Sequence, residues 1–148
     1  MIHQMHIRRS SAAIWVGGSL AAVLLNGCTL PYRPSADASL VQVILLNTAS
    51  PNMCIDGNWF RLEAAEQGTT RSVMVPTGKR ITLRVDDVLL SAGASTCRPT
   101  LSVEPAAGTR LALHSALAGH TCLIEIVRED HNTPTGVAPE PSIGPPQC

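Results

Sequence analysis

Chemistry needs particular residue types held at particular distances, and this chain offers few of them. A nucleophile–base pair would join a serine or cysteine to a histidine. Beyond residue 28 the histidines are His114, His120 and His131, and no G-x-S-x-G occurs. Strand alternation places His114 on a polar face, His120 falls in an Ala-Gly-His-Thr turn, and His131 follows the last strand-like run. All three read as solvated surface groups. The acidic clusters are Asp86-Asp87 and Glu129-Asp130-His131. Neither has the ligand spacing of a calcium loop or a zinc site. Adjacent strand residues point to opposite faces, so Asp86 and Asp87 would not converge. They read as strand-end charges that discourage edge pairing. No catalytic residue, metal site or cofactor is expected, and the chain reads as non-enzymatic. Trp59 and Phe60 stand out because aromatics make up only 3% of the chain. They are core, or a contact for a partner.

Cysteine chemistry is the richer signal. The five cysteines are Cys28, Cys54, Cys97, Cys122 and Cys148, and an odd count leaves one thiol to explain. The N-terminus explains it. Arg8 and Arg9 precede an apolar run from Ala12 to Leu25, interrupted by Gly17, Gly18 and Ser19. As a helix that run reaches only ~21 Å, short of a ~30 Å hydrocarbon core. It fits a secretory signal better than a membrane span.

Leu25-Asn26-Gly27-Cys28 resembles the lipobox of bacterial lipoproteins: an aliphatic residue, a small or polar one, Gly or Ala, then Cys. The resemblance implies cleavage between Gly27 and Cys28, a diacylglyceryl thioether on Cys28, and acylation of the new amino terminus. The covalent lipid would anchor the chain to a membrane. Enterobacterial lipoproteins retained at the inner membrane carry aspartate after the cysteine. Thr29 stands there instead, which implies the periplasmic side of the outer membrane in a Gram-negative host.

The elements that would carry any site are strands. Residues 1–27 read as signal peptide, 28–39 as a polar tether, 40–132 as the domain and 133–148 as a proline-rich tail of flexible or polyproline-like character. Leu40–Leu46 is apolar on both faces, as a covered central strand would be. Asp56-Gly57-Asn58 signals a hairpin turn. Ile81, Leu83 and Val85 alternate with Arg80, Thr82, Arg84 and Asp86. The alternation recurs in Cys97–Val103, Leu111–Leu117 and Cys122–Ile126. Period two in so many segments, with turns every few residues, predicts an all-β fold: a small antiparallel β-sandwich of seven or eight strands, following an N-terminal signal helix. Only Leu62–Gly68 hints at a helical turn.

So few aromatics make a thin core, which disulfides would reinforce. Four cysteines allow three pairings. Cys97–Cys122 and Cys54–Cys148 are favoured, the first joining two apolar strand faces and the second tying the tail to the first hairpin. Zero formal net charge removes the basic face expected of a nucleic-acid binder.

Two segments resemble known envelope families. Asp56, Gly57, Pro76, Gly78 and Lys79 are similar to the "DG" strand and "V-P-x-G-K" turn of PEGA-type domains, although the family's naming tetrapeptide is absent. Cys97, Pro105, Gly108 and Cys122 resemble the closing strands of uncharacterised proteobacterial lipoproteins. Neither family implies a catalytic activity. The resemblances imply an accessory binding module of the cell envelope that engages another envelope protein, with strand addition at a sheet edge as its mode. "NMCIDG" also resembles the start of periplasmic inhibitors of C-type lysozyme, which makes an inhibitor or small-ligand-binding lipoprotein the alternative. Met53 and Ile55 depart from that pattern.

Overall fold

The computed structural model describes residues 29–86, 88–89, 96–118 and 121–148, with only the backbone of 88, 89, 96, 97 and 117. These residues form strands and no helix. In chain order they are β1 (Leu30–Pro31), β2 (Leu40–Leu46), β3 (Asn52–Ile55), β4 (Asn58–Arg61), β5 (Ala65–Gln67), β6 (Thr70–Pro76), β7 (Ile81–Arg84), β8 (Val88–Leu89), β9 (Thr96–Cys97), β10 (Thr100–Val103), β11 (Leu111–Ala118), β12 (Thr121–Glu129) and β13 (Val137–Pro139). Eight of them have four or more residues, which are the strands the alternation predicts. The other five are too short to leave a period-two signature.

The strands build a five-stranded sheet, β1-β4-β3-β7-β10, a six-stranded sheet, β13-β12-β11-β2-β6-β5, and a β8-β9 ribbon. The alternating apolar residues meet between the two sheets. Met53, Ile81, Leu83, Val85, Leu101 and Val103 come from the first, and Val41, Val43, Leu45, Val73, Val75, Leu111, Leu113 and Ile126 from the second. At about 1.5–3 kcal/mol for each fully buried aliphatic side chain, this layer is the main stabilising term. Inside it, the Ser115 hydroxyl donates to Thr48 Oγ1 at 2.8 Å, which satisfies two buried polar groups. The hairpin turn is as read: Asp56 and Gly57 both have positive φ, 51° and 78°, the backbone a two-residue type I′ loop requires.

Several expectations need correction. Both large sheets are mixed, because β1 runs parallel to β4 and β11 parallel to β2. The tether is not free along its length, since Leu30 and Pro31 pair with Phe60 and Arg61. Residues 65–67 of the Leu62–Gly68 segment extend as β5 along β6. β2 is central as expected but covered on one face only: Leu40, Gln42 and Ile44 are half-buried and Leu46 is exposed. The expected signal helix lies outside the described residues.

The largest correction concerns the tail. β13 pairs with the end of β12, and the chain then joins the free edge of β10 at Gly144 before crossing the outer face of the five-stranded sheet to Cys54. Gly144 exchanges both backbone hydrogen bonds with Ser102, at 2.9 and 3.1 Å. Arg80 donates to the Ser142 carbonyl at 2.9 Å and to Ser102 Oγ at 3.2 Å. The Gln147 amide donates to Thr82 Oγ1 at 3.1 Å. Cys148 then closes a disulfide with Cys54. A side chain on Gly144 would meet Arg80 Nη1 at 3.0 Å, so glycine allows the close approach. Thr82 and Ser102, which alternation points outward, are buried at 2% and 0% because the tail lies over them.

Candidate functional site

Two surfaces combine unusual side chains with open backbone. The first is the β1–β4 edge, where the chain enters the sheet. Trp59 pairs with Cys54 across the hairpin and Phe60 with Met53, so the two aromatics point to opposite faces of β4. Trp59 faces outward, with the Arg84 guanidinium over its ring, 4.3 Å from the centroid. Phe60 faces the sandwich side and meets Tyr32 edge-on, with centroids 5.8 Å apart. Both are half-buried. The core expectation thus describes the side of the strand that Phe60 takes and not that of Trp59.

Asp86 holds the Arg84 head in place. It accepts from Arg84 Nε at 2.7 Å and Nη2 at 3.1 Å, and from the Asn52 side-chain amide. Arg98 lies 3.7 Å from the same carboxylate. The Asp86 carboxylate is therefore a clamp for cations rather than a strand-end repellent. Its neighbour Asp87 lies outside the described residues. Further along this edge, Arg33 and Arg61 both approach Glu63 at 3.8 Å with exposed side chains, leaving one positive charge in excess. In the turn that follows Arg33, the Ser35 hydroxyl and its own backbone amide hold Asp37 below its ordinary 3.8.

The second surface is the outer face of the six-stranded sheet and the edge of β12. Pairing registers set Pro139, Val127, Ala112, Ile44, Ser72 and Ala65 on one uncharged rung across all six strands. Met74 stands exposed two residues from it and Leu123 at the far end of β12, at 45% and 49%. A hollow of about 470 Å³ opens beside His114, Leu123 and Glu125. Another, of about 430 Å³, lies between Tyr32, Pro34, Leu40 and Met74.

The Glu129 amide donates to Arg110 O on the β11 side at 2.9 Å. By strand alternation, Ile124 and Ile126 turn their N–H and C=O groups toward the opposite edge. β13 covers that edge only at Val127–Glu129. Among the described residues, Leu123–Ile126 pair with β11 alone. Among the described residues, this stretch is a sheet edge left uncovered in line with β13.

The remaining candidates are dispersed. His114 is paired across the strands with Glu125, and His120 lies outside the described residues. His131 is exposed, 3.8 Å from Glu129. Arg110 also approaches Glu129 and Arg128 approaches Asp130, at 3.7 and 3.8 Å. Cations thus already answer the Glu129-Asp130 cluster. Among the described residues no three His, Cys, Asp or Glu side chains converge as metal ligands. Gly27 and Cys28 lie outside the described residues, as does the Cys97 side chain; Cys122 is disulfide-bonded. Asp56 and Lys79, which carry the PEGA-type resemblance, form an ion pair at 3.0 Å that joins the first hairpin turn to the Pro76–Lys79 turn. No protein-family model, curated protein or solved structure matches this chain.

Proposed function

We propose that this protein is a lipid-anchored, non-catalytic module of the bacterial cell envelope, which binds an extended segment of another envelope protein along the β12 edge. The lipobox-like Leu25–Cys28 supports the anchor, and the outer membrane facing the periplasm is the proposed location. The open Leu123–Ile126 edge carries the binding reading. An incoming strand would continue the line of β13 and take hydrogen bonds from Ile124 and Ile126. Its side chains would meet Leu123 and Glu125 on the outer face, short of the uncharged rung at Val127. A second reading, capture of a small apolar ligand, is favoured by the cleft at Tyr32 and Met74.

The test places a photo-crosslinking side chain at Leu123 in the full-length chain and, separately, at exposed Ile143 on the tail. Crosslinks to one envelope protein from position 123 only, with fractionation to the membrane that is lost in Cys28→Ser, are the expected outcome. Equal crosslinking from both positions would remove the β12 edge from the proposal. A Cys28→Ser chain that stays in the membrane would remove the anchor.

A further inference from the structure

We infer that the β1–β4 edge is the face this domain lays against a phospholipid bilayer. The inference rests on the anchor proposed at Cys28 and adds an orientation to it. Three independent features of the described residues meet at this edge.

The first is reach. Leu30 is already hydrogen-bonded into the sheet beside Phe60, and two residues of chain span at most about 7 Å. A lipid on Cys28 therefore cannot hold the domain at a distance; it brings this edge to the membrane surface. The second is composition. Tyr32, Trp59 and Phe60 are the only Tyr and Phe of the chain and the only Trp beyond Trp15. All three sit here, beside a Leu30 that is 68% exposed. The amphipathic rings of Tyr32 and Trp59 next to an exposed aliphatic residue suit the headgroup layer, where one end of a ring is dry and the other wet; Phe60 backs Tyr32 from the sandwich side. The third is charge. Arg33 and Arg61 are exposed and share one carboxylate, Glu63, so two guanidinium groups stand available to lipid phosphates, while Asp37 in the turn after Arg33 brings the edge as a whole to zero net charge. The exposed apolar residues Leu46 and Leu123 belong to the other sheet, whereas Met74 of that sheet shares the hollow beside Tyr32 and Pro34.

Trp59 makes the orientation measurable, because it is the only tryptophan once residues 1–27 are removed. The lipidated protein, purified from membranes, is placed in vesicles of phosphatidylcholine and phosphatidylglycerol, with and without bromine on the acyl carbons nearest the headgroup. Quenching of Trp59 emission by the brominated lipid is expected. It should weaken in Arg33→Glu/Arg61→Glu. A Trp59→Phe/Leu123→Trp chain, which moves the reporter to the six-stranded sheet, should show none. Equal Trp59 emission in both vesicles, or stronger quenching of the reporter at 123, would overturn the orientation. The mass of the N-terminal peptide separates the two levels of failure. An unmodified Cys28 refutes the anchor and the orientation together, whereas a lipidated Cys28 with unquenched Trp59 refutes the orientation alone.

Discussion

Asp86 shows how one carboxylate organises an exposed face. It fixes Arg84 in a two-pronged contact, and Arg84 in turn covers the ring of Trp59. Both ion-pair partners are about two-thirds buried or more, with side-chain exposures of 26% and 32%. Charge-assisted hydrogen bonds in such a setting contribute more than a solvated pair. Asp86→Ala is expected to cost about 1–3 kcal/mol in urea unfolding, with a change in Trp59 emission as the guanidinium loses its partner. Arg33→Ala removes an exposed pair and is expected to stay within about 0.5 kcal/mol. Asp86 was visible in the sequence as a charge beside a strand end. Its acceptor role was not, because Asn52 and Arg98 reach it from strands and loops far along the chain.

Period two carried the strand assignments. Buried Ile81, Leu83 and Val85 alternate with their neighbours as a half-buried strand must, and the same holds for Leu111 and Leu113. It could not reveal β1, β5 or β13, which are too short for a period and owe their extension to the strand beside them. Nor could it show that Thr82 and Ser102 are covered. Small polar residues at outward positions read as solvated, and only the tertiary path of the tail makes them buried. Proline content points to a loose tail; the crossing depends instead on hydrogen bonds donated by Arg80, exchanged with Ser102 and accepted by Glu140. Glu140 is buried and accepts from the Ser142 amide and hydroxyl at 3.0 and 2.6 Å. Glu140→Ala should therefore release Ser142 and speed hydrogen exchange at the Ser102 amide, while leaving the β11–β12 ladder protected. Unchanged exchange at Ser102 would mean that Gly144 and the disulfide hold the crossing without it.

For the molecule as a whole, the apolar layer between the sheets is made almost entirely of aliphatic side chains, and the Cys54–Cys148 bridge spans 94 residues of sequence. Constraining a loop of that size is worth about 4–5 kcal/mol in the chain-entropy account. Cys54→Ser should lower the unfolding free energy by an amount of that order, read from denaturant midpoints. A shift below about 1 kcal/mol would mean that the tail contacts alone suffice. Cysteine count and tail position made this pairing legible; the route between Pro139 and Cys148 was not, because nothing local in Glu140–Gln147 encodes where it docks.

The same bridge has a mechanical side. Residues 54–148 form a closed covalent ring, threaded through both sheets, so a pull on the residues before it cannot draw the ring out into an extended chain. Only the segment before Cys54 can yield, and that segment contains β2, gripped between β11 and β6 in the middle of the six-stranded sheet. Extracting β2 means shearing two ladders at once rather than unzipping one from its end. On the proposed anchor and partner, a load arriving at β12 would pass through β11, the strand adjoining β2, before it reached the membrane. The domain is thus built as a shackle, with a ring at one end, a short leader at the other, and its strongest purchase where the two meet.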